Sequence, residues 1–216
     1  NINITQPPFN DIRVRQALAM AVNRAELVRW RGQDTNREGQ SLVPRGYLGF
    51  TADNGLLPHD LSRARALLAE AGYPNGLTVR VVHTQLPEML ASMQVVQQQL
   101  RRAGITLDLQ VVEHATFHQQ IRQNLSPLVY YAAARFPIAD IYLTQFFHSR
   151  SIVGTPTAVA NFSHCGMADA EIDAARVSTD RAEQLRLWAT AQRKLVENVC
   201  GVPLVEALLV FARRDN

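Results

Sequence analysis

Apolar residues recur at helical spacing along much of this chain, and two short stretches alternate instead. Val14, Leu18, Ala21, Val22 and Val28 follow an i, i+3/i+4 rhythm behind Asp11, whose side chain suits an N-cap. Pro7 and Pro8 keep the preceding segment extended. The predicted helix buries this Val/Leu/Ala stripe and leaves Arg13 and Arg24 off it. From Gly32 to Leu57 five glycines interrupt any period, and the stretch reads as a long irregular loop. Asp60 caps a second helix with Leu61, Ala64, Leu67, Leu68 and Ala71 on one face. Gly72 suits the left-handed C′ position there, and Pro74 prevents continuation.

Asn75-Gly76 then turns the chain into a strand predicted over Thr78–His83. Met89, Met93, Val96, Leu100 and Ala103 form a helical stripe ended by Gly104. Ile105, Leu107, Leu109 and Val111 alternate with Thr106, Asp108 and Gln110, the pattern of a half-buried strand. A short helix near Thr116–Gln123, a strand near Leu128–Ala133 and a helix over Ile138–His148 follow. Asp180 and Glu183 open a helix carrying Leu185, Trp188, Ala189, Leu195, Val196 and Val199. Beyond Pro203 an apolar final strand is predicted over Leu204–Ala212. Strand and helix alternating at this length predict an α/β fold, a mixed β-sheet flanked by helices with right-handed crossovers.

Composition narrows the function more by exclusion than by assignment. The 216 residues suffice for one sizeable core, and the formal charge of +3 is too small to argue for nucleic acid. The Arg101-Arg102 and Arg213-Arg214 pairs sit beside apolar stripes and read as solvated faces. No run of 18 apolar residues is present, so no helical membrane span is predicted. Nucleophile-elbow, phosphate-loop and zinc-protease motifs are absent, and no enzymatic activity or cofactor is predicted. His114 and His118 stand four apart, a spacing that can aim two imidazoles at one metal ion. Without an adjacent carboxylate or thiol they read instead as the exposed face of a short helix. Adjacent His164 and Cys165 make a similarly weak pair. Trp188 is expected in the core, and Trp30 at the end of a helix near a junction.

The stretch Pro8 to Arg24 (PFNDIRVRQALAMAVNR) and the block Asp60 to Leu77 (DLSRARALLAEAGYPNGL) together resemble, at the expected separation, family 5 extracytoplasmic solute-binding proteins. These are peptide-, opine- and nickel-binding receptors of ABC importers. The resemblance implies a single lobe over residues 1–216, the second of two. Its ligand would be a small peptide-like or anionic solute, captured by lobe closure and delivered to permease subunits in the membrane. Periplasmic or other extracytoplasmic location is implied, and the absence of an export signal says nothing for an excised lobe. An alternative is the sensing domain of a transcription regulator, which a preceding helix-turn-helix would identify.

Against that family pattern, one departure stands out. Peptide-binding members carry Trp-x-Ala-Asp after the strand near Leu128–Ala133, the aspartate pairing with the ligand's amino group. Here Ala132 stands at the tryptophan position and Arg135 at the aspartate position. The first change opens space, and the second reverses the charge. A cation there repels a free peptide amine and offers a planar fork to a carboxylate or phosphate. Arg135 is the predicted anchor, with Tyr131, Ala132, Ala134 and Phe136 lining the wall. Pairing of Arg135 with Asp140 is the structural alternative. Glu206, in the final apolar strand, is costly to bury alone and is a candidate to face the cleft or pair with Arg135. Cys165 and Cys200 are expected to be buried free thiols. The alternative is a disulfide, which an export compartment allows and which would close a loop of about 35 residues, worth roughly 3–4 kcal/mol.

Overall fold

The computed structural model describes residues 1–155 and 160–208. Helix α1 spans Ile12–Ala21, and Asp11 caps it by accepting from Arg13 N. The expected continuation through Val28 is broken at Val22-Asn23, both extended. Asn23 then caps a separate helix, α2 (Arg24–Arg31), by accepting from Glu26 N. The break is held from outside. The Gln99 carboxamide accepts from Asn23 N at 3.1 Å and donates to Asn23 O at 3.1 Å.

Arg13 is exposed as expected, but Arg24 is buried, donating to Pro203 O (2.8 Å) and Leu57 O (3.3 Å). Arg15 is buried too and reaches the carbonyls of Phe9, Asn10 and Asn198. Backbone carbonyls receive the Arg15 donors and the Arg24 Nε and Nη1 donors, which offsets much of the cost of burial, while Arg24 Nη2 is buried without a partner among the described residues.

The long loop includes a three-residue strand, β1 (Asn36–Glu38). Helix α3 (Leu61–Glu70) ends where Gly72 adopts φ +93°, the left-handed conformation that favours glycine. β2 (Leu77–Thr84), α4 (Pro87–Ala103) and β3 (Ile105–Val112) form a strand–helix–strand unit. The two strands are parallel and in step, Leu77 opposite Ile105 through Thr84 opposite Val112. Val79, Val81, Ile105 and Leu107 join Leu67, Leu68, Met93, Val96 and Leu100 in one core, closed by Val14, Leu18 and Ala21 of α1.

The helix after β3, α5 (His114–Arg122), starts at Glu113, whose carboxylate accepts from Ala115 N and Thr116 N. His114 and His118 are half-buried, not the exposed face expected of them. The segment 128–133, expected as a strand, forms no ladder. Leu128 meets Ile2 in an isolated bridge, and Val129 N donates to Asn1 O.

A second core follows. α6 (Ala139–Phe147), α7 (Asp169–Val177) and α8 (Arg181–Glu197) pack Leu143, Phe147, Ile172, Ala175, Leu195 and the fully buried Trp188. Helix α7 has no counterpart among the sequence-predicted elements, although Ala168, Ile172 and Ala175 carry the period. Asp180 caps α8 as expected, accepting from Ala182 N and Glu183 N, but the Glu183 carboxylate pairs with Arg186 and does not complete the box. Gly49, at φ +85°, lies so close to this core that a Cβ would stand 2.6 Å from Ala139 Cβ and 2.8 Å from the Trp188 ring.

Cys165 and Cys200 are joined in a disulfide with Cα atoms 6.0 Å apart, which overturns the expectation of two free thiols. The loop before α7 brings the two residues within bridging reach, a proximity that spacing alone does not reveal.

β4 (Val205–Ala207) pairs antiparallel with β1, Arg37 opposite Glu206. Parallel and antiparallel pairing therefore both occur, in two separate two-stranded sheets and not one mixed sheet. Residues 209–212 of the expected final strand, and Arg213-Arg214, lie outside the described residues. No helix among the described residues is long and apolar enough to cross a membrane.

Candidate functional site

The segment from Ser126 to Phe136 leaves the α/β core and crosses to the helical one. Ser126 Oγ accepts from Val82 N (3.0 Å) and donates to Leu128 O (2.6 Å), so the segment starts tied to β2. Tyr131 then inserts its ring between the two halves. It lies 5.3 Å from Phe162, 5.9 Å from Phe146 and 6.0 Å from His118, between ring centroids. Ala132 and Ala134 are exposed, and Phe136 is 76% exposed.

Arg135 lies four residues before α6 in a setting of neutral groups. Its Nε donates to Gln145 Oε1 at 2.7 Å, and one terminal nitrogen donates to Ala134 O at 2.9 Å. The guanidinium carbon stands 5.6 Å from the Phe146 ring centroid, within cation–π range. Tyr142 holds the backbone beneath it. The hydroxyl accepts from Arg135 N (3.1 Å) and donates weakly to Ala133 O (3.5 Å), and burial pushes its pKa above the usual tyrosine value. Tyr142, Gln145 and Phe146 lie at i, i+3 and i+4 of one helix face. Helical spacing over Ile138–His148 carried that signal, but nothing in the sequence linked the face to Arg135.

Neither acid expected to pair with Arg135 does so. Asp140 pairs with Arg176 at 3.2 Å. Glu206 accepts from Arg45 N at 3.3 Å and stands in β4 against Arg37. Register explains the second outcome, since β4 runs beside β1 and its side chains follow that pairing. Among the described residues Arg135 has no carboxylate partner. A guanidinium has five N–H donors, and two are engaged here, so three remain for another acceptor. Chemically, this is a half-buried cation held in place by neutral groups, with a free donor edge suited to an oxyanion.

A cavity of about 340 Å³ lies elsewhere, at the N-terminal end of α2, lined by Asn23, Arg24, Glu38, Leu57 and His59 among others. It includes none of the residues 131–136, and Glu206 does not line it.

Comparison with known proteins agrees with this architecture. Residues 1–153 match the model of the bacterial extracellular solute-binding proteins, family 5. The glutathione-binding protein GsiB of Escherichia coli (strain K12) is 29% identical over 228 aligned positions, covering all of this chain and 43% of that protein. The solved structure of MoaA from A.tumefacien R10, in complex with mannopinic acid, superposes with a TM-score of 0.94 at 55% identity. That match covers 95% of this chain and 42% of MoaA. A dipeptide-binding protein from Pseudoalteromonas sp. SM9913, in complex with Met-Leu, shares the fold at a TM-score of 0.86 and 21% identity, over 95% of this chain. The chain thus spans less than half the length of these relatives. With two matching sequence blocks, the α/β unit they build and the family model over most of its residues, the chain belongs to the family 5 bacterial extracellular solute-binding proteins.

Proposed function

We propose that this chain is one lobe of an ABC importer's extracytoplasmic solute receptor and that its ligand carries a carboxylate or comparable anion received by Arg135. The observation that carries the reading is the Arg135 guanidinium itself, held by Gln145, Ala134 and Phe146 with no acid among the described residues to neutralise it. The 55% identity to a protein solved with mannopinic acid supports an acid of that kind over a free oligopeptide. The kinship with solute-binding proteins favours the importer over the transcription regulator. Tyr131, Phe136 and the backbone of Ala132–Ala134 form the wall beside the anchor. Glu206 is not part of the anchor and belongs to the β1–β4 pair.

Closure of a second lobe over this wall completes the site. To carry a receptor from 1:99 to 99:1 closed, the ligand must bind the closed form better by about 5.5 kcal/mol. One lobe lacks the opposing contacts, so residues 1–216 alone are expected to bind ligand negligibly. The test is a thermal-shift screen of the full-length protein with mannopinic acid, simple organic acids and neutral peptides. A ligand at about one hundred times its Kd adds roughly 2.7 kcal/mol of stability, a readable shift. Stabilisation by acids only, lost in Arg135→Ala, supports the reading. Stabilisation by neutral peptides, unchanged in Arg135→Ala, overturns it.

A further inference from the structure

His114 and His118 occupy the first two turns of α5, and their imidazoles converge. The two Nε2 atoms stand 3.2 Å apart, with ring centroids at 4.5 Å and an interplanar angle of 75°. The helix that carries them is held at three points. Glu113 caps it, Phe117 is fully buried between the two positions, and Thr84 at the end of β2 meets His114. The pair is therefore presented by a fixed turn and not by two freely rotating surface side chains.

We infer that this pair is a binding site for a borderline divalent transition-metal ion such as Ni²⁺, Cu²⁺ or Zn²⁺. Imidazole nitrogen binds such ions at about 2.0–2.1 Å. Two ligands at that distance lie roughly 2.9 Å apart at a right angle and about 3.3 Å apart at the tetrahedral angle, from the same bond length. The observed 3.2 Å falls between those limits. One ion can therefore bridge both Nε2 atoms with little rearrangement.

The surroundings of His114 agree with ligation through Nε2. A metal-bound histidine donates its other ring N–H to an outer partner, which fixes tautomer and orientation. Thr84 Oγ1 lies 3.0 Å from His114 Nδ1 and fills that role. His118 Nδ1 is buried without a partner among the described residues, so His114 alone has the outer contact that ligation through Nε2 calls for. No three His, Cys, Asp or Glu side chains converge among the described residues, so water or an exogenous ligand completes the coordination. Such a site discriminates against Mg²⁺ and Ca²⁺, which require oxygen donors.

The test is calorimetric titration of the untagged full-length protein with Ni²⁺, Cu²⁺ and Zn²⁺, with Mg²⁺ as the hard-ion control. The expected result is a saturable transition-metal site that is at least tenfold weaker in His114→Gln and equally so in His118→Gln, because one remaining imidazole cannot chelate. Electron paramagnetic resonance of the Cu²⁺ form gives a second reading that needs no variant, with two imidazole nitrogens expected on the ion. Wild-type protein that takes up none of the three ions, variants that bind like the wild type, or a spectrum with one nitrogen or none would overturn the inference.

Discussion

The two halves of this molecule reach stability by different routes. In the α/β half, β2, α4 and β3 follow one another in sequence, and Val14, Leu18 and Ala21 of α1, with Leu128 and Val199, close the core that they build. In the helical half, α6, α7 and α8 surround Trp188, but the packing is completed by distant pieces. Val43 and Gly49 come from the long loop, and Gln192 donates to Gly49 O at 2.8 Å while accepting from Ser41 Oγ at 2.6 Å. The Cys165–Cys200 disulfide adds a covalent tie across 35 residues. Local periodicity suffices where neighbours in sequence are neighbours in space. The helical half instead depends on loop closure, whose entropy must be offset by a few long-range contacts.

The largest expected effect that separates the halves is at Trp188. Trp188→Ala is expected to cost about 3–5 kcal/mol by opening a cavity. Its indole N–H has no partner, so the loss should fall towards the lower end of that range. Hydrogen exchange of the full-length variant should show weakened protection in α6–α8 with β2 and β3 retained. Equal loss in both halves would show that they unfold as one unit. Next is the disulfide. Replacing both cysteines by alanine is expected to cost roughly 3–4 kcal/mol, read as a lower Tm and as faster exchange confined to the helical half. An unchanged Tm in that double variant would remove the staple from the account.

The smallest expected effect is on pH dependence, and it sharpens the comparison between His83 of the α/β half and His164 beside the disulfide. Burial holds both below the usual histidine pKa, His83 despite an opposing hydrogen bond to Thr84 O. In the unfolded chain they take up protons near pH 6.5, before the folded protein does. Their contribution is therefore present above about pH 6.5 and is lost as the pH falls through that value towards the folded pKa. His118 shifts in the same direction, through burial and then the neighbouring His114 and Arg122. His83→Gln and His164→Gln should each flatten the fall in Tm between pH 7.5 and 5, His83→Gln more because His83 is fully buried. Parallel Tm profiles for wild type and both variants would contradict this.

Legibility follows the same division. The strand–helix–strand unit, its Gly72 and Gly104 stops and the Asp11, Asp60 and Asp180 caps were readable because each depends on residues within a turn of one another. Helix α7 escaped notice because its stripe is short and built largely of alanine. The break between α1 and α2 escaped too. Asn23 is a plausible cap, but the Gln99 side chain that holds it comes from 76 residues away. At the candidate site, the resemblance singled out Arg135 as an expectation. Its neutral partners were not readable, since Gln145 and Phe146 carry no mark that points back to residue 135.

By itself the sequence determined the family and the α/β class. Those properties reside in residue identity and short-range periodicity, which survive without knowledge of the third dimension. Tertiary structure decided that Cys165 meets Cys200, that Asp140 turns to Arg176 and Glu206 to the β1 side, and that two imidazoles on α5 face one another. The first three depend on which distant segments share a surface, set by packing and loop closure together, and the imidazole pair is fixed further by Thr84 of β2, which meets His114.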